Sequence, residues 1–157
     1  MSFTLDYQSA VESELTARLS RIFTLRAMQY QGLTQSEIAQ RLGISQPAIS
    51  QQLRAAPSTS GLSSSLILTA ASPALKRIAT DRGFSRLAVF GSVARGTSRL
   101  DSDIDLIVEP PADATITTLE SLRQIFSDLM QRPVDLISYG GLKKGVHDPI
   151  EKTLVLL

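Results

Sequence analysis

Residues 91–106 read GSVARGTSRLDSDIDL, a glycine–serine pair followed by three acids, Asp101, Asp103 and Asp105, set among apolar Leu100, Ile104 and Leu106. Upstream, Leu87-Ala88-Val89-Phe90 has the continuous apolar character of a buried strand, so Gly91 and Ser92 fall where that strand ends. A second strand over Ile104 to Val108 places Asp103, Asp105 and Ile107 on one face and Ile104, Leu106 and Val108 on the other. Two carboxylates pointing the same way about 6–7 Å apart repel each other and raise each other's pKa unless a cation lies between them. A solvated strand end and a cation site explain the pair equally well.

The surrounding residues bear on that choice. Gly91 has no side chain to keep a phosphate from the backbone, and Ser92 opens a short helix whose free amides attract anions. Arg95 and Arg99 are cations within reach of phosphate oxygens. Further on, PVDLIS carries Asp135 in a third strand, Val134 to Ser138, where it projects with Ile137 and can join Asp103 and Asp105 from an adjacent strand. Taken singly, Asp135 reads as a strand-edge charge, the arginines as solvated or salt-bridged, and the glycine–serine pair as turn chemistry. Their order along the chain gives the set its meaning.

The segment resembles the signature of the minimal nucleotidyltransferases of the DNA polymerase beta superfamily, over residues 73–157. The resemblance implies Gly91 and Ser92 at the nucleotide phosphates, and the position of Arg95 makes it a candidate beside them. It also implies Asp103 and Asp105 as magnesium ligands, and Asp135 as the third acid, a metal ligand able to accept a proton. No role passes to Asp101. The implied substrates are ATP or another nucleoside triphosphate, with one or two Mg2+ ions as cofactor. The chain shows no large substrate-binding lobe, which implies that a separate protein completes the pocket.

Composition sets outer limits. Of 157 residues, 43% are hydrophobic, enough for a packed core, and sixteen basic against fifteen acidic side chains leave any nucleic-acid role to a local surface. The absence of cysteine excludes disulfides and thiolate-bound zinc. The lone histidine, His147, reads as an exposed loop residue. Neither a signal peptide nor a membrane span is expected, and a cytoplasmic location follows.

Ahead of the motif, Val11, Leu15, Leu19, Ile22, Leu25, Ala27 and Met28 recur at three- and four-residue steps, predicting one long helix from about Tyr7 to Tyr30. LTQSEIAQRLGISQPAISQQLRA then reads as two short helices about a turn. Thr34 and Glu37 form a capping box, Gly43 ends the first helix, and Ser45 caps the second with Pro47 in its opening turn. Ile38, Ala39, Leu42, Ile44, Ile49 and Leu53 fall where two such helices pack. The segment resembles the helix-turn-helix of bacterial transcription regulators over residues 33–54, with Gln46, Ser50, Gln51 and Arg54 placed to enter a major groove. A helical hairpin used only for docking or dimerisation is the competing reading. AAPSTSGLSSS, residues 55–65, predicts a flexible seam.

The expected fold class is α+β: an all-α helix-turn-helix domain over residues 1–55, a Ser/Thr-rich linker over 56–72, and a small α/β domain over 73–157 with a mixed sheet and flanking helices. A helix is expected from Pro73 to Arg82, another from Thr117 to Met130, and a terminal one near Ile150 to Leu156. The combination resembles antitoxins of toxin–antitoxin pairs whose toxin is a helical HEPN ribonuclease. That implies DNA, a nucleotide and a HEPN-type toxin as partners, with AMP transferred from ATP to a toxin tyrosine, and a homodimer as a further expectation. Competing functions are a DNA-binding repressor with a non-catalytic nucleotide- or partner-binding domain, and transfer to a small molecule such as an antibiotic.

Overall fold

The computed structural model describes residues 2–100, 102–141, 150 and 152–157; Asp101 and His147 lie outside the described residues. Helix α1 spans Phe3–Tyr30, followed by α2 (Gln35–Leu42), α3 (Gln46–Arg54) and α4 (Ser64–Asp81). Strand β1 (Ser85–Phe90), the four-residue α5 (Gly91–Ala94), β2 (Ile104–Glu109), α6 (Ile116–Met130) and β3 (Val134–Ser138) come next. A 3-10 turn over Tyr139–Gly141 and a two-residue strand β4 (Val155–Leu156) complete the described elements. The sheet order is β3-β2-β1-β4, with β2 and β3 parallel and the other pairs antiparallel. This is the expected helical start followed by an α/β unit with a mixed sheet.

One face of the sheet is covered. Leu87, Val89, Ile104, Leu106, Val108, Val134 and Leu136 pack into a core that α4 supplies with Ile67, Leu75 and Ile78 and α6 with Leu122 and Phe126. α1 also enters this core, through Leu19, Phe23 and Ala27. Arg26 of α1 donates to the Leu129 carbonyl at 2.9 Å, and Gln31 donates to Asp81 at the end of α4. A smaller core joins α1 to the helix pair through Leu25, Ile38, Ala39 and Ile49. The long helix therefore serves both halves of the chain.

The helix pair forms as its caps dictate. Thr34 and Glu37 make the reciprocal capping box, and Gly43 ends α2 at φ +68°, a left-handed conformation that disfavours a side chain. Ser45 caps α3 by accepting from the Ala48 amide, with Pro47 in the first turn. Leu42 and Ile44, expected in the packing face, are instead 48% and 41% exposed, at the two sides of the Gly43 turn.

Two expectations along the chain are overturned. The seam does not extend to residue 72: Ser63 caps α4 by accepting from the Leu66 amide, and the helix runs through Pro73. Its buried positions Ile67, Leu68, Ala71, Leu75 and Ile78 keep helical spacing, and this burial outweighs the serine-rich composition. Pro73 lies on the exposed side, so the Thr69 carbonyl it leaves without an intrahelical partner belongs to the water-facing side of the helix. The second concerns the terminus. Lys152 and Thr153 are helical, but Val155 and Leu156 leave the expected helix and add an edge strand against Val89 and Ala88. No helix among the described residues is long and apolar enough to cross a membrane.

Candidate active site

Among the described residues, the face of the sheet away from the main core carries a small apolar cluster, formed by Ala88, Ile107 and Tyr139 with Phe90, Ile137 and Leu154 packed against it. By strand alternation, Asp105 shares this face with Ile107, and Asp135 with Ile137. In register, Phe90 pairs with Asp105 across β1 and β2, and Asp105 pairs with Asp135 across β2 and β3. The parallel pairing thus sets two carboxylates side by side. Asp103 lies one residue before β2 rather than starting it and is exposed, as is Asp135, while Asp105 is half-buried.

At Asp105 the acids outweigh the nearby cation. Burial holds the Asp105 carboxyl above its ordinary range, and the charge of Asp135, a hydrogen bond with Asp135 and the charge of Asp103 push it the same way. Arg95 alone opposes them. Among the described residues no three His, Cys, Asp or Glu side chains converge as a ready-made metal group. Asp105 and Asp135 are brought together, and Asp103 completes the set through its charge rather than by close contact. An all-oxygen pair with a raised carboxyl pKa suits a hard divalent cation, which removes the repulsion that protonation otherwise relieves.

Above Asp105 the chain turns through Gly91 at φ +71° into α5. A β-carbon at Gly91 would fall 3.0 Å from the Asp105 carboxyl carbon and closer still to Oδ2, so the turn rests on the acid. The loop then folds back: the Arg95 amide donates to the Gly91 carbonyl at 3.1 Å and the Thr97 amide to that of Ser92 at 2.9 Å. Gly91→Ala should therefore be severe. The left-handed backbone costs about 1–2 kcal/mol for an L side chain, and the collision must move either the turn or Asp105. Thermal unfolding should show the destabilisation.

A buried polar network supports the loop that leads to Asp103. Arg132, only 4% exposed, donates to Ser64 Oγ at 2.8 Å and to the Thr59 and Leu62 carbonyls at 2.7 and 3.1 Å. Ser64 in turn donates to the Ser102 carbonyl, and the Ile104 amide donates to that of Pro133 at 3.1 Å. Sequence reasoning missed these residues, because neither a lone arginine beside a proline nor a serine in a serine run signals burial.

In the helix pair, Gln46, Gln51 and Arg54 are exposed and Ser50 is half-buried. Gln46 donates to Gln35 at 2.8 Å, tying the starts of α2 and α3 together. Gln51 also borders a groove between α3 and Arg18, Arg21 and Ile22 of α1.

Comparison with known proteins agrees with the fold. Residues 74–155 match the nucleotidyltransferase domain model, and residues 13–57 match sigma-70 region 4. The first match spans more than half of the chain, which belongs to the nucleotidyltransferase domain family. A Methanocaldococcus jannaschii protein provisionally named a protein adenylyltransferase is 35% identical over 66 residues, covering 42% of this chain and 63% of that protein. The protein adenylyltransferase MntA of Thermococcus cleftensis is 29% identical over 73 residues, 46% of this chain and 74% of the relative. A solved structure provisionally described as a minimal nucleotidyltransferase superposes with a TM-score of 0.53 at 32% identity, covering 57% of this chain and 92% of that one. This chain thus spans a little under two thirds of the first relative's length.

Proposed function

We propose that the chain is a magnesium-dependent nucleotidyltransferase that moves AMP from ATP onto a hydroxyl of a partner protein, and that its helix pair binds DNA to regulate its own operon. The observation that carries this reading is the Asp105–Asp135 pair, held in register on one sheet face beneath the Gly91 turn. The protein acceptor is supported by the names of the relatives and by the exposure of Asp103 and Asp135, which leaves room for a macromolecule.

In this reading Asp103, Asp105 and Asp135 would hold the cation, which would supply charge neutralisation at the phosphates. Gly91 and Ser92 let the triphosphate approach the backbone, and Arg95 faces its oxygens. The acceptor oxygen forms a bond to the α-phosphorus as the bridging P–O bond to the β-phosphate breaks and pyrophosphate leaves. Asp135 accepts the hydroxyl proton and returns it to solvent. Docking by the partner makes the attack effectively unimolecular. The acceptor envisaged is a tyrosine of a HEPN-type toxin, which makes this chain an antitoxin. The sigma-70 region 4 match and the exposed Gln46, Gln51 and Arg54 support DNA reading by α3, with Ser50 beside them.

The test incubates the chain with magnesium, labelled ATP and the product of the neighbouring gene, followed by mass spectrometry. A gain of AMP on the partner is expected. Label on a small molecule instead would establish a small-molecule transferase, and nucleotide binding without turnover would leave a regulator. A mobility-shift series across salt should show operator DNA retained when random DNA is released.

A further inference from the structure

A groove of about 480 Å3 runs between α1 and α3, with Arg18 and Arg21 on one bank and Ala48, Gln51 and Gln52 on the other. Arg18 is fixed there. Its guanidinium donates at 2.8 Å to the carbonyl of Ala55, the C-cap of α3, which uses a single donor of the fork. Arg21, nearly one turn further along α1, is exposed and makes no hydrogen bond or ion pair among the described residues.

The charge around these arginines is one-sided. From Gln31 to Thr80 the chain holds one acid, Glu37, and its carboxylate accepts from the Thr34 amide in the cap of α2. Arg41 and Arg54 are exposed on the helix pair itself. This half of the molecule is therefore basic, although the net charge of the whole chain is only +1. Glu14, one turn before Arg18 on α1, forms no ion pair among the described residues.

Gln51 belongs both to the groove and to the exposed face of α3 that carries Gln46 and Arg54. At about 3.6 residues per turn, Ala48, Gln52 and Ala55 lie to one side of that face, toward α1. A helix with its side chains is about 10–12 Å across and the major groove is about 12 Å wide, so a helix seated there brings its flanks against the phosphate ridges. A cation carried beside the reading face meets phosphate rather than base edges.

We infer that Arg21, with Arg18 beside it, binds a backbone phosphate of the DNA whose major groove α3 reads. The inference rests on DNA binding by the helix pair and is independent of nucleotidyl transfer. The occupant is duplex DNA rather than an acidic protein, because the groove is continuous with a glutamine-bearing face suited to base edges. Arg18 is held in place by α3, and the unengaged fork of Arg21 can close on phosphate oxygens in pairs.

The test is fluorescence anisotropy of the full chain across a salt series, with one labelled duplex from upstream of its own gene and one of scrambled sequence. Arg21→Ala should weaken binding to both duplexes by the same factor, about tenfold, and lower the salt slope by about one unit. Arg21→Lys should restore the slope but only part of the affinity, since lysine keeps the charge without the fork. Lys76→Ala, which removes an equal charge from α4 beside β1, should change neither. Both positions are exposed, so thermal midpoints should stay at the native value. A native chain that binds neither duplex would remove the DNA reading and this inference with it. Unchanged slope and affinity in Arg21→Ala, a loss confined to one duplex, or an equal loss in Lys76→Ala would each overturn the phosphate contact and leave reading by α3 standing.

Discussion

Replacing Asp105 with asparagine should abolish nucleotidyl transfer and at the same time stabilise the metal-free protein. The loss follows from removing the half-buried member of the paired acids, the one against which the Gly91 turn rests. A fall of at least about 10²-fold is the usual scale for deleting one fixed electrostatic element of a site. The gain in stability follows from the sign of the carboxyl shift. The folded-state pKa of Asp105 lies above the ordinary value of 3.8, chiefly through burial and then through Asp135 and Asp103. The folded protein therefore binds this proton more tightly than the unfolded chain. Stability from the site is complete below the ordinary carboxyl range and is lost as pH rises through the raised pKa. Asparagine carries no charge and escapes that loss. Thermal midpoints measured from acid to neutral pH should thus decline less in Asp105→Asn than in the native chain. Magnesium should raise the native midpoint more than the variant's. Retained transfer in a correctly folded Asp105→Asn protein would remove the acid pair from the chemistry.

Phe23→Ala should be the most destabilising single change in α1. Its ring is fully buried where α1 enters the core shared with α4, α6 and the sheet, and the Arg26 guanidinium lies 5.9 Å from its centroid. Truncating a buried phenylalanine costs about 3–5 kcal/mol, which in a chain of this size lowers the midpoint by roughly 6–20 °C. Calorimetry should show one cooperative transition moving down as a whole. If α2 and α3 melted separately while the sheet kept its midpoint, α1 would not be the shared member the packing makes it.

The parts legible in the sequence are those whose instructions are local. Thr34, Glu37, Gly43 and Ser45 punctuate the helix pair through their own side chains, and β1, Gly91 and β2 follow from an apolar run, a turn and alternation. The neighbourhood of Asp105 and Asp135 could be anticipated only in outline, because register between strands thirty residues apart is settled by packing. Residues 64–72 misled because serine composition and Pro73 both suggest a boundary, whereas Ile67, Leu68 and Ala71 continue the buried stripe of α4. Val155 and Leu156 are too short a run to announce a strand, and β1 defines them as one. Leu42 and Ile44 have the spacing of core residues, but they sit at the end of α2 and just past its left-handed cap, where the helix pair leaves both exposed.

Arg132 shows that the smallest portable piece of this architecture is larger than its motif. The loop leading to Asp103 is secured from the far side of the sheet through Ser64, and the same guanidinium fastens Thr59 and Leu62. A graft carrying only the glycine–serine turn and the three acids into another scaffold would bring those residues without their fastening. The stretch that looks in composition like dispensable string between two modules, from Thr59 to Ser64, is part of the tooling of the site, and its length and chemistry are inherited with it.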